Sequence, residues 1–293
     1  MSRTLHPSFT HDLRVPMRID AHQHCWQYDP EEYAWIGDDM SLLREDYMPP
    51  DLHQHLQRHE IDGALMVQVR QNLDETRWML DLADKYPYIL GVVGWVDLRS
   101  PEAGAQLDEF KEHPKFRGVR HIVQDEEDSY FLLGDDFCRG MKEVSERGLT
   151  YDILVYPKQL DAATQFADRF PEMSLVLDHI AKPPIKKGEM EPWKRGLEAL
   201  AERPNVACKV SGMVTENKWE EWKKDEFHPY LDVVFEAFGE DRLIYGSDWP
   251  MCELAGGYMK MAAVTTDYAA RVSGEAREKL FGRNAIRWYG LPR

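Results

Sequence analysis

Short, nearly continuous apolar runs recur along the chain, each followed by a stretch whose apolar positions fall at helical spacing. The runs are Arg18–His24, Gly63–Val69, Ile89–Val96, Gly118–Val123, Thr150–Val155, Ser174–His179, Asn205–Ser211 and Leu243–Asp248. They are rich in Val, Ile and Leu, the pattern of strands buried on both faces. Between them lie amphipathic segments: Asp51–Glu60, Asp74–Tyr86, Pro101–Glu112, Asp135–Arg147, Lys158–Phe170, Pro192–Glu202 and Phe227–Phe238, with Met259–Arg271 and Glu275–Tyr289 closing the chain. Several open on Asp or Pro and stop near Gly or Pro. Strands alternating with helices predict a parallel sheet of the α/β class. Eight such runs in 293 residues predict a single (β/α)8 TIM barrel over residues 18–293, preceded by an N-terminal arm, residues 1–17. An open doubly wound sheet would want a glycine-rich phosphate turn after the first strand; His22-Gln23-His24-Cys25-Trp26 stands there instead.

Composition narrows the partners. The net charge of −16 speaks against nucleic acid, whose binders carry basic stripes, and gives an anionic substrate no long-range help. No apolar run approaches the roughly 20 residues of a membrane span, and Met1 to Pro16 lacks the apolar core of a signal peptide. The four cysteines are widely spaced, without a C-x-x-C, and read as free thiols in a reducing compartment. The expectation is a cytoplasmic enzyme of small molecules, with a homodimer as a compatible assembly.

In such a barrel the polar residues at the C-terminal ends of strands carry the chemistry. Those positions hold His22 and His24, Gln68 and Arg70, Trp95 and Asp97, Arg120 and His121, Tyr151 and Asp152, Asp178 and His179, Lys209 and Ser211, and Asp248. His22 and His24, two apart on one strand, can converge on one point. Singly each has a bland reading: a buried histidine satisfied in the core, an aspartate capping the next helix, a lysine paired with a neighbour. Together, polar groups ending eight apolar strands would be costly to bury without a task.

Several motifs carry a resemblance. His22-Gln23-His24, Leu177-Asp178-His179-Ile180-Ala181-Lys182-Pro183 and Tyr245-Gly246-Ser247-Asp248-Trp249-Pro250 resemble the amidohydrolase superfamily, and within it the sugar-lactonase branch of L-fuconolactonase- and L-rhamnonolactonase-like proteins. Phe116-Arg117-Gly118-Val119-Arg120-His121, Lys209-Val210-Ser211-Gly212 and Phe281-Gly282-Arg283-Asn284-Ala285 extend it over roughly Arg18 to Leu291. The resemblance implies a hydrolase that opens a sugar 1,5- or 1,4-lactone to the aldonate. Asp248 would activate water, and His22, His24 and His179 would orient it.

One departure bears on metal. Metal-dependent amidohydrolases place a histidine at the end of strand five, where this chain has Thr150-Tyr151-Asp152-Ile153, and Arg120-His121 offers no bridging lysine on strand four. This argues against a binuclear site. Two readings stay open: one zinc or manganese ion held by His22, His24, His179 and Asp248, or a metal-free site in which Arg120, His121 or Lys209 stabilises the carbonyl oxygen. Gln68, Arg120, His121 and Lys209 are the expected substrate contacts, with Trp26 and Trp249 as walls for a sugar ring, or else as packing. The alternative activities on this scaffold are a pyrone-dicarboxylate lactonase, which needs several pocket arginines, and an aromatic-acid decarboxylase. A non-catalytic binding protein would not need Asp248 aligned with three histidines.

Overall fold

A computed structural model describes residues 16–292; all but the last two residues of the expected N-terminal arm, and Arg293, lie outside them. The strands are β1 (Ile19–Gln23), β2 (Gly63–Val67), β3 (Ile89–Gly94), β4 (Phe116–His121), β5 (Thr150–Ile153), β6 (Leu175–Leu177), β7 (Val206–Val210) and β8 (Leu243–Tyr245), parallel and in sequential order. Closure runs past the end of β8, where the Asp248 N–H donates to His22 O at 2.8 Å and the His24 N–H to Trp249 O at 2.7 Å. The eightfold alternation thus gives the (β/α)8 barrel it predicts.

Helices α1 (Pro49–Arg58), α2 (Leu73–Lys85), α3 (Ala103–Phe110), α4 (Asp135–Glu146), α5 (Leu160–Arg169), α6 (Trp193–Ala201) and α7 (His228–Phe238) separate the strands, and α8 (Tyr258–Ala269) follows β8. Helix α1 starts two residues before the expected Asp51 because Pro49 and Pro50 fit its first turn, where no N–H is missed. The expected last helix is interrupted: α9 (Gly274–Glu278) and α10 (Asn284–Tyr289) flank a π turn at Lys279–Arg283. Beyond the widened turn Asn284 is buried and its amide donates to Leu243 O and Glu240 O, both at 2.8 Å, tying the C-terminus to β8.

Two layers fill the barrel. Ile19, Ala21, Leu65, Val67, Val93, Val176, Ala207 and Ile244 form an apolar cluster, closed from below by Trp288, Tyr289 and Leu291. Two residues after Val176 and Ala207 come Asp178 and Lys209, on the same inward face, and Arg120 and Asp152 join them from β4 and β5. The interior changes from hydrocarbon to buried charge within one step of the strand repeat.

The turn after β2 shows how the rim is held. Asn72 caps α2 by accepting from the Glu75 N–H at 2.8 Å. The Glu75 carboxylate folds back to accept from Val69 N at 3.0 Å and Arg70 N at 2.8 Å. Burial pushes this carboxyl up to about 7, against the pull of those hydrogen bonds and of Arg70. The folded protein therefore holds a proton between pH 4.5 and 7 that the unfolded chain releases, and this contribution to stability is lost as pH rises through 7. Glu75→Gln keeps the acceptor without the titration. Urea unfolding of both proteins at pH 4.5 and pH 8 is expected to show wild type losing stability relative to the variant, by a few kcal/mol at about 1.4 kcal/mol per pKa unit.

Candidate active site

His22, His24, His179 and Asp248 meet at the C-terminal mouth of the barrel. A register irregularity in β1 between Asp20 and Gln23 reorients the strand where His22 lies. His24 and His179 are respectively 5% and 4% exposed, and His22 is fully buried. The Nε2 atoms of His22 and His24 are 3.2 Å apart. Around Asp248 Oδ1 stand His24 Nε2 at 3.4 Å, and His22 Nε2 and His179 Nε2 at 3.8 Å each.

Two backbone devices make this convergence. Residues His179, Ile180, Ala181 and Lys182 all have positive φ, between 47° and 57°, so the chain makes a left-handed turn on leaving β6. Each costs on the order of 1–2 kcal/mol, and the β-branched Ile180 is the least suited to it. The turn is held by the Lys182 N–H to His179 O at 2.8 Å, by Trp193 Nε1–H to Ile180 O at 2.7 Å, and by full burial of Ile180 and Ala181. Asp248 is also left-handed, with φ 57°. The second device is close approach. A Cβ on Gly212 would sit 2.4 Å from His179 Nδ1, and one on Gly246 would sit 2.6 Å from His22 Cβ.

Beneath the histidines lies a cluster of buried charge. Lys209 Nζ contacts Asp152 Oδ2 at 2.5 Å, Asp178 Oδ1 at 3.0 Å and His22 Nδ1 at 3.1 Å. Asp152 also accepts from the Tyr289 hydroxyl at 2.7 Å. Arg120 donates to Asp178 Oδ2 at 3.0 Å, and to both the carbonyl and the Oε1 of Gln68. Burial opposes the charge on Asp178, yet Lys209, His22 and Arg120 together hold its carboxyl well below the ordinary range. Burial likewise opposes the charge on Asp248, yet the surrounding imidazoles hold it below the ordinary range. Burial lowers His22 well below its usual value, with Lys209 adding and Asp178 opposing, and lowers His179 to about 4. At neutral pH Asp248 is a carboxylate, and burial keeps the His22 and His179 imidazoles beside it neutral.

Several expected contacts are placed elsewhere. Lys209 and Arg120 are too fully engaged with carboxylates and Gln68 to meet a lactone carbonyl; they form the floor under His22. Gln68 faces this floor through Oε1, and its Nε2 is buried without a hydrogen-bond partner among the described residues. His121 points away from the centre: it stacks on Phe131 and pairs with Glu126 Oε1 at 2.7 Å. Trp26 is fully buried among Tyr33, Ile36 and Leu43, its Nε1–H donating to Glu45 O at 3.0 Å. Trp249 is 1% exposed and packs edge-on against Tyr47. Trp26 is packed within the core, and Trp249 borders a cavity of about 400 Å³ with Tyr47 and His55. The residues that sequence reasoning left without a role are Asp152, Asp178, Ser211, Lys182 and Glu216. Ser211 Oγ holds His179 Nδ1 at 2.9 Å, and burial pushes the Glu216 carboxyl up, with the Lys182 ammonium opposing and the charge of Asp248 adding.

The donor set fits one divalent ion. His24 Nδ1–H donates to Val67 O at 2.8 Å, which leaves the Nε2 lone pair facing the centre. His22 Nε2, His24 Nε2 and Asp248 Oδ1 lie 3.2–3.8 Å from one another and suit it, and His179 Nε2 approaches the same carboxylate oxygen at 3.8 Å. Ligands at about 2.1 Å from one tetrahedral zinc lie about 3.4 Å from one another. The Lys209 ammonium occupies the position between Asp152 and Asp178, while His22, Asp178 and His179 form a second group of ligand atoms within 4.8 Å of one another.

Comparison with known proteins identifies a family. The family model described as amidohydrolase matches residues 19–291. The chain belongs to the amidohydrolase family. Within it, this amidohydrolase is 38% identical to the L-fucono-1,5-lactonase of Burkholderia multivorans, over 94% of this chain and 97% of that one. It is 37% identical to the L-fucono-1,5-lactonase of Burkholderia ambifaria, over 95% and 97%. A crystal structure of an amidohydrolase from Burkholderia multivorans with bound zinc superposes with a TM-score of 0.90 at 38% identity, covering 94% of this chain and all of that one.

The two neighbours of His22 Nδ1 allow two tautomers. Lys209 is aligned to donate to Nδ1, which puts the proton on Nε2 and directs it at His24 Nε2. Asp178 Oδ1, 3.2 Å away, can instead accept an Nδ1 proton and free Nε2 for a metal. Arg120 Nη1, which can only donate, lies 3.4 Å from Nε2 and favours this second form. In the amidohydrolase stripped of metal, the 15N shifts of His22 are expected to report the Nδ1–H form, and added zinc is expected to move the Nε2 resonance with one ion bound per chain. A second tightly held ion, or an unchanged His22 signal on zinc binding, would contradict this site.

Proposed function

We propose that this amidohydrolase opens a sugar 1,5- or 1,4-lactone, of the L-fucono- or L-rhamnono-lactone kind, to the aldonate. The observation that carries the reading is Asp248, ionised and ringed by three imidazoles at the barrel mouth, in a chain 38% identical along nearly its whole length to a named L-fucono-1,5-lactonase. A lactone needs a base for water, stabilisation of the carbonyl oxygen and a proton for the departing ring oxygen. Asp248 is placed to take the water proton and to return it to the ring oxygen. His24, fixed by Val67 O, and His179, fixed by Ser211, hold the attacking water against it.

Lys209 and Arg120 are bound to Asp152, Asp178 and Gln68, so the metal-free variant of the mechanism loses the cations it would use on the carbonyl oxygen. This supports the metal-assisted variant, as does the zinc in the superposing relative. An ion held by His22, His24, His179 and Asp248 would supply Lewis-acid polarisation of water or carbonyl. The same engagement of the arginines speaks against a dicarboxylate substrate. Arg120 is consumed by the floor, and Arg70 pairs with Glu32 and lies 3.6 Å from Glu75.

Asp248→Asn preserves shape and removes the proton acceptor; turnover of L-fucono-1,5-lactone is expected to fall at least ~100-fold with the thermal unfolding curve intact. Proton release from L-fucono-, L-rhamnono- and D-galactono-lactones, compared with a pyrone dicarboxylate, tests the substrate class. A preference for the dicarboxylate, or CO2 from a hydroxybenzoate with no lactone opened, would refute it.

A further inference from the structure

A cavity of about 420 Å³ opens beside the catalytic centre, between the loops that follow β5, β6 and β7. Its lining includes Tyr156 from the first loop, Lys182 and Pro184 from the second, and Glu216 and Trp219 from the third. The left-handed turn that delivers His179 to Asp248 ends on Lys182, so the turn supplies both that imidazole and one of the cavity's three ammonium groups, beside those of Lys186 and Lys187. Lys182 Nζ lies 5.4 Å from the centre of the Tyr156 ring and 3.9 Å from Glu216 Oε1.

That last distance is the informative one. An ammonium and a carboxylate free to pair close to 2.7–2.9 Å. Here both are largely shielded, with side chains 17% and 22% exposed, and among the described residues neither side chain has a partner at hydrogen-bond distance. Most other charged side chains around the mouth are engaged: Arg120 with Asp178, His121 with Glu126, Arg70 with Glu32. A hydroxyl group satisfies such a pair, because its oxygen accepts from an ammonium while its hydrogen goes to a carboxylate. Aromatic and proline faces beside a polar pair suit a ring that is apolar on its C–H face and polar at its edge.

The geometry points to the Lys182–Glu216 pair as the subsite that binds hydroxyl groups of the substrate, making these two residues the selectors of a polyhydroxylated lactone over a bare one. The inference rests on the lactonase reading above. A site built to bond hydroxyls discriminates strongly against a ligand that lacks them, because the site's own polar groups are then left unpaired.

The test compares wild type, Lys182→Met and Glu216→Gln on L-fucono-1,5-lactone and on δ-valerolactone, which has the same ring without hydroxyls. Calorimetric binding of L-fuconate and of 5-hydroxypentanoate runs alongside. Each variant is expected to lose roughly 10- to 100-fold in kcat/KM for the sugar lactone, mainly through KM, as for a lost hydrogen bond to a charged group. L-fuconate affinity should fall in parallel, while the values for δ-valerolactone and 5-hydroxypentanoate change less than about threefold. Equal losses on both ligand types would assign the pair to the chemistry or to the fold and overturn the inference, as would unchanged selectivity. Should wild type open no lactone, the lactonase reading fails, and the hydroxyl subsite is still judged by whether the variants lose L-fuconate binding relative to 5-hydroxypentanoate.

Discussion

The ammonium of Lys209 is the interaction on which the centre of this barrel depends. It sits fully buried within 3.1 Å of Asp152, Asp178 and His22. Removing it would leave two carboxylates stranded in a dry interior, a loss typically of 3–5 kcal/mol for a broken buried pair. Its position is not one of local convenience. Lys209 comes from β7, Asp178 from the end of β6, Asp152 from β5 and His22 from β1, so the ammonium joins strands across the barrel interior. Through Asp152 it reaches Tyr289 of the C-terminal plug, and through Asp178 it reaches Arg120 and Gln68. The histidine that faces the chemistry is thus oriented by a network running from the bottom of the barrel to its mouth.

Above this floor the backbone carries strain that the packing has to offset. Four successive left-handed residues, none of them glycine, deliver His179, and another delivers Asp248. Such conformations persist where the surroundings over-determine them. Here the buried Ile180, the Trp193 hydrogen bond and the Cβ-free surface of Gly212 do so. The same turn that aims an imidazole at Asp248 sets Lys182 opposite Glu216. The placement of His179 and the character of the neighbouring cavity are therefore consequences of one local fold.

The barrel itself is legible in the sequence because its strands are buried on both faces, so each appears as an apolar run without needing any partner to explain it. The convergence of His22, His24, His179 and Asp248 is legible for a related reason: polar groups interrupting those runs at one end have only one place to go. What is not legible is the partnership of each group. Lys209 and Arg120 read as substrate contacts until the opposite strands are seen to supply Asp152, Asp178 and Gln68 at bonding distance. Trp26 and Trp249 stand next to site residues in sequence, but a tryptophan beside a strand end looks the same whether it walls a ligand or fills a core. The left-handed turn leaves no glycine as a signal between His179 and Lys182. Lys182 is visible only as part of the Asp-His-x-x-Lys-Pro motif.

The balance of charge connects the floor to the mouth. Lys209 and Arg120 face Asp152 and Asp178, and those two pairs nearly neutralise one another below the histidines. Asp248 stands above them with no lysine or arginine at contact distance among the described residues, and burial holds His22 and His179 neutral. An isolated buried carboxylate is expensive, and the imidazoles of His179, His24 and His22 offset part of that cost. A divalent ion beside them would offset more, as would the proton that Asp248 takes from water in the proposed reaction. By filling the position between Asp152 and Asp178 with its own ammonium, the floor leaves Asp248 as the carboxylate at the mouth without a lysine or arginine at contact distance among the described residues.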